Sequence, residues 1–113
     1  MKSLGVLLLS VLLAVPVALI SPAQAAEKKR TAVIEKRVIG HSVDGRKITA
    51  WRLGNPRSSK KVLLLAGMHG NETGAVHTLR ALRDGRPIEG ADIWVVPVVN
   101  PDGVAENTRQ NAR

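Results

Sequence analysis

The chain has no cysteine, no phenylalanine and no tyrosine, and its aromatic side chains are two tryptophans. Without cysteine no disulfide can staple a small fold, and the acylated cysteine of a lipid-anchored envelope protein is missing as well. Readers of single-stranded nucleic acid stack bases on aromatic rings. Here Trp51 and Trp94 both sit in apolar, strand-like segments, which argues against nucleic acid as a partner. Acidic residues are few: 9 against 17 Lys and Arg, for a formal net charge of +8. That balance suits an anionic envelope polymer or a solvated basic surface. Internal repeats are absent too.

What is present begins with a leader. Met1-Lys2 supplies a positive charge, "LGVLLLSVLLAVPVALI" an apolar core, and "SPAQAA" small residues at Ala23 and Ala25. This order is that of a secretory signal peptide spanning residues 1–25, cleaved after Ala25. The apolar run is close to the roughly 18–20 residues of a membrane span, so a retained anchor is the alternative. Pro16, Ser21 and Pro22 favour cleavage. The expected location is periplasmic or secreted, with no stable membrane span after processing. Residues 26–37 read as a basic flexible lead. Residues 38–113 read as the front part of a larger domain: a chain this short buries only about 60–65% of its unfolded surface, and "RQNAR" closes no strand or helix.

"TAVIEKRVIGHSVDGRKITAWRLGNP" reads as two extended pieces joined at Asp44-Gly45, a strong hairpin signal. In "KITAWRL", Thr49, Trp51 and Leu53 alternate with Ile48, Ala50 and Arg52. Val62 to Ala66 is a continuous apolar run, the mark of a strand covered on both faces. "ETGAVHTLRALRDG" places Ala75, Val76, Leu79 and Leu82 at helical spacing, with Gly85 as a stop. "ADIWVVPVVN" is a second buried strand in which Pro97 predicts a bulge or an edge, and "NPDG" reads as a closing turn. Strand, helix and strand with short connections make a right-handed βαβ unit. The predicted fold class is therefore α/β, a partial, mixed but largely parallel sheet with flanking helices. Sites in such sheets collect at the carboxyl ends of the strands. "GMHGNE" and "NPDG…TRQNAR" both fall there.

His69 and Glu72 lie three positions apart on the loop that enters the helix. Imidazole nitrogen and carboxylate oxygen are zinc donors at roughly 2.0–2.2 Å. Gly67 and Gly70 would let the backbone bend, and Asn71 could orient a ligand. The plainer alternative is that Glu72 favours the positive end of the helix. His77 reads as an ordinary helix histidine, and His41 shows no partner. Arg109 and Arg113 carry permanent charge and fork onto carboxylates and oxyanions. Beside a hydrolytic metal they would stabilise a developing oxyanion; otherwise they are solvated loop arginines.

Taken together, "GMHGNETG" and "VVNPDGVAENTRQNAR" resemble the zinc metallocarboxypeptidase family, and "IGHSVDGRKITAWRLG" resembles the murein peptide amidase-like branch of it. The resemblance covers residues 38–113. It implies a zinc peptidase or amidase whose cofactor is zinc and whose substrate is a peptide or murein peptide. On that resemblance His69 and Glu72 are the first two metal ligands. Arg109 is the catalytic arginine that polarises the scissile carbonyl and binds substrate, and Arg113 is a neighbouring substrate-binding position. The family fold is an eight-stranded mixed sheet between helices, of which this would be the N-terminal part. In the family a further substrate-binding segment, a third ligand and a catalytic glutamate come later than Arg113. The 113 residues are therefore expected to be inactive alone. Two other classes stay open: an exported, non-catalytic basic module for anionic envelope polymer, and an N-acyl amino acid deacylase of a related family, which also uses a motif like "HGNE".

Overall fold

The computed structural model describes residues 31–111. The expected signal peptide (1–25), the start of the basic lead and Arg113 lie outside the described residues.

Six elements follow in order: β1 (Val33–His41), β2 (Lys47–Gly54), β3 (Lys61–Leu65), α1 (Gly74–Asp84), β4 (Asp92–Val96) and α2 (Pro101–Glu106). β1 opens at Val33, so residues 33–37 of the expected lead are strand. The β1–β2 hairpin turns at Asp44-Gly45, where Gly45 takes a positive φ of 76° and donates its N–H to the Ser42 carbonyl at 3.0 Å. A left-handed residue at that corner is what glycine supplies without steric cost.

The strands form one mixed sheet in the order β1-β2-β4-β3. β2 pairs antiparallel with both β1 and β4. The parallel character predicted for the sheet is confined, among the described residues, to β3 and β4, with Leu64 opposite Val95. α1 crosses between those two strands as expected and packs Val76 and Leu79 against Ala66. A second cluster joins Ala32, Leu53 and Val95, with Trp51, Leu64, Leu82, Ile88 and Ile93 around it. Leu64 touches both clusters and so ties the crossover to the sheet.

The expectations for Pro97 and "NPDG" are corrected, and those for β3 and Gly85 are made more specific. β3 reads as a doubly covered strand, yet Val62, Leu63 and Leu65 are exposed. Among the described residues it stands at the end of the sheet with one partner strand. Pro97 makes no bulge within β4; it follows the last strand residue and is fully buried. "NPDG" opens α2 instead of closing a turn. Gly85 ends α1 as expected, in extended backbone.

The amino end of the parallel pair is fastened by a buried carboxylate. Asp92 takes a two-pronged bond from Arg52, Nε at 2.7 Å and Nη2 at 2.8 Å, and a third from Lys61 Nζ at 2.8 Å. The Arg52 fork, then the Lys61 ammonium, outweigh burial and hold Asp92 well below the usual carboxylate range. The opposite, carboxyl end carries the loops described next. No helix among the described residues is long and apolar enough to cross a membrane.

Candidate metal centre

Leaving β3, the chain keeps to β4 for one more residue: Ala66 donates its N–H to the Val96 carbonyl at 3.0 Å. Gly67 then turns away with φ 62°. A Cβ there would lie 3.1 Å from the Pro97 carbonyl oxygen and 3.1 Å from a Val76 methyl, so both conformation and space call for glycine. Met68 and His69 follow on the surface. Glu72 closes the loop by donating its N–H to the His69 carbonyl at 3.1 Å, and α1 begins two residues later.

That short closure sets the side chains. His69 Nδ1 stands 3.2 Å from Glu72 Oε1. Arg109 Nη1 donates to the same oxygen at 2.7 Å. The His69 ring, and after it the Arg109 guanidinium, hold the Glu72 carboxyl below its ordinary range against the opposing effect of desolvation. His69 lines two open clefts. One, of about 370 Å³, lies among Val43, Met68, Asn100 and Arg109. The other, of about 400 Å³, runs past Glu72 along Leu65 to Gly67 and the start of α1.

The donor set fits one divalent ion. A tetrahedron with bonds of roughly 2.0–2.2 Å has edges of about 3.3–3.6 Å, close to the 3.2 Å between His69 Nδ1 and Glu72 Oε1. Among the described residues no third His, Cys, Asp or Glu completes a ligand group. Asn71 is exposed, as are His41 at the end of β1 and His77 on α1. Arg113 lies outside the described residues.

Arg109 reaches the site because of α2. Asn100 is its N-cap: the side-chain Oδ1 accepts from Gly103 N–H at 3.0 Å, and Pro101 opens the helix. The other end of the same amide donates from Nδ2 to the Met68 carbonyl at 3.3 Å, and Asn100 N–H donates to the Gly67 carbonyl at 2.8 Å. One asparagine thus caps a helix and braces the loop that carries His69. The helix ends at Asn107, left-handed with φ 54°, and Thr108 N–H returns to the Gly103 carbonyl at 2.9 Å. That reversal brings Arg109 back over Glu72. Asn100 was missed in the sequence, although Asn before Pro is a helix-start signal as well as a turn signal.

With this geometry in place the chain can be set beside known proteins. The zinc carboxypeptidase family profile matches residues 19–113. The chain belongs to the zinc carboxypeptidase family. Among solved structures, murein-tripeptide amidase MpaA from Escherichia coli O157 shares 35% identity with a TM-score of 0.56, covering 70% of this chain and 33% of that one. Carboxypeptidase A from Helicoverpa armigera has the same fold at 24% identity and TM-score 0.58, covering 73% of this chain and 24% of that one. A comparison with curated protein sequences finds no match. This chain spans about a quarter to a third of the length of those two structures. The α/β fold expected from the sequence agrees with them, with a four-stranded mixed sheet and helices.

Proposed function

We propose that these residues carry the first half of the metal site of a zinc-dependent peptidase or amidase that hydrolyses a peptide or cell-wall peptide amide bond. The observation that carries this reading is the convergence of His69 Nδ1 and Glu72 Oε1 at one tetrahedral edge, 3.2 Å apart, on the carboxyl rim of a parallel strand pair. Family membership and the likeness to a murein-tripeptide amidase support it. Bound zinc polarises a carbonyl and lowers the pKa of a coordinated water.

The chain's own residues have distinct tasks in this reading. His69 and Glu72 hold the ion. Arg109 is the catalytic and substrate-facing cation, and Arg113 a second substrate contact. In the structure Arg109 Nη1 donates to the Glu72 oxygen that would also face an ion. Its guanidinium borders the cleft lined by Met68, His69 and Asn100. From there it can donate to a carbonyl oxygen as charge develops on it. Catalytic zinc commonly takes three protein ligands, so two donors alone would hold an ion weakly. In this reading residues 1–25 direct export and 38–113 belong to the carboxypeptidase-like domain in the periplasm or medium.

The test is zinc content together with turnover of a cell-wall tripeptide and of a peptide with a free carboxyl end. In the full-length protein, His69→Ala and Glu72→Ala should each lose zinc and activity. Stoichiometric zinc and full turnover in both variants would refute the metal assignment and leave Glu72 as a helix-start acid.

A further inference from the structure

α2 begins with an acid, and the simplest account of Asp102 is a surface carboxylate at the positive end of a helix. Its surroundings do not match that account. Asp102 is 2% exposed and points away from its own helix to the β1–β2 hairpin, far off in the sequence. Ser42 Oγ donates to Oδ1 at 2.6 Å, Arg46 Nη1 donates to Oδ1 at 2.6 Å, and Asp44 N–H donates to Oδ2 at 3.2 Å. The donors are themselves fixed. Arg46 N–H donates to Ser42 Oγ at 3.0 Å, and Arg46 Nη1 also binds Asp44 Oδ2 at 2.6 Å. A buried carboxylate is costly unless paired and hydrogen-bonded. Here three groups of one turn close on it.

What the clamp holds is the neighbour of Asp102. Gly103 is buried, and its carbonyl lies so close to Gly70 that a Cβ on Gly70 would overlap it. Gly70 directly follows His69. On the other flank Asn100 bonds the backbone of Gly67 and Met68. The first turn of α2 is therefore pressed against the metal loop on one side and bolted to the hairpin on the other. The hairpin also contributes Val43 to the cleft shared by His69 and Arg109.

We propose that Asp102, clamped by Ser42 and Arg46, is a positioning residue for the metal site: it sets α2 against Gly70 and thereby the placement of His69, Glu72 and Arg109. This deepens the zinc reading and rests on it. Groups that orient metal ligands from behind typically cost 10–100-fold in affinity when removed.

The experiment titrates zinc into the whole chain and follows the His69 ring resonances by NMR, with the His77 ring as internal reference and urea midpoints measured in parallel. Asp102→Asn should weaken zinc binding at His69 by about 10-fold or more, and Ser42→Ala by a smaller factor in the same direction. Arg52→Gln, which strips the Asp92 corner at the far end of the sheet, should lower the urea midpoint and leave zinc affinity unchanged. If Asp102→Asn does not fold, Ser42→Ala carries the test. Wild-type affinity in Asp102→Asn and Ser42→Ala overturns the inference alone, as does an equal loss in Arg52→Gln. If zinc does not shift His69 in the unmodified chain, the metal reading falls and takes this inference with it.

Discussion

Gly70 and Gly74 flank the Glu72 segment and offer a matched pair of perturbations. A Cβ on Gly74 meets nothing within 4 Å, whereas one on Gly70 would overlap the Gly103 carbonyl and the Val104 amide. Carbon atoms pack at roughly 3.5–4.0 Å, so Gly70→Ala forces two backbones apart by more than about 1 Å. Neither backbone can yield cheaply. The Gly103 carbonyl accepts from Thr108 N–H, and Gly103 N–H is held by the Asn100 side chain. The Asn100 bond to Met68, already 3.3 Å long, would be broken. Overpacking of this kind costs about 1–3 kcal/mol. Metal ligation needs distances within about 0.2 Å, so zinc affinity should fall by at least 10-fold, the scale seen when ligand support is lost. Gly74→Ala sits in the first turn of α1 and should be neutral or gain up to about 1 kcal/mol from reduced unfolded-state entropy. Urea denaturation and zinc titration on both variants decide it. Equal midpoints and equal affinities for the pair would refute the tight seating of the loop on α2.

Leu53→Ala empties a fully buried position between Ala32 and Val95 and should cost about 2–5 kcal/mol, read as a drop in urea midpoint at constant zinc stoichiometry. Arg109→Ala removes an exposed pair to Glu72; the urea midpoint should hardly move, while kcat of the full-length enzyme should fall by about 10²–10³-fold with zinc retained. Acid should destabilise the chain: Glu72, Asp92 and Asp102 all have lowered folded-state pKa values, for Asp102 because hydrogen bonds from Ser42 and Arg46 overcome burial. Their contribution is complete above the ordinary carboxylate range, about pH 4, and is lost as pH falls through the lowered values. A urea midpoint unchanged between pH 6 and pH 2 would count against these pairings.

The site's near half was legible because its signals are local. Asp44-Gly45 fixes a hairpin corner, an apolar run ending in glycine fixes a strand end, and His69 and Glu72 lie within one loop. The far half was not, because its signals are either ambiguous or long-range. Asn-Pro-Asp-Gly fits a turn and a helix start equally well, and a helix of 6 residues is too short to show a 3.6-residue period. Nothing near Asp102 in the chain names Ser42 or Arg46 as its partners. β3 is a separate case. Its apolar run announces a strand able to be covered on both faces, and among the described residues, in the order β1-β2-β4-β3, it has one partner strand.

The basic surplus looks different once the side chains are placed. Arg37 and Arg52 bind Glu35, Arg52 and Lys61 also bind Asp92, Arg46 binds Asp44 and Asp102, Arg83 binds Asp84, and Arg109 binds Glu72. Among the described residues six Lys and Arg side chains are thus paired with carboxylates. An anionic polymer would need cations gathered on one face. One such grouping among the described residues is a cleft of about 320 Å³ between β2, α1 and α2, lined by Lys47, Arg80 and Arg83. There Arg83 is already paired with Asp84 and stacked 4.9 Å from the Trp51 ring. Two cations on an open rim make a poor polymer track, because each adds only a screened contact. Elsewhere a histidine and an arginine both meet one carboxylate oxygen, that of Glu72. Charge count alone left a polymer module and a merely solvated surface open; the contacts of Glu72 with His69 and Arg109 speak for the metal reading.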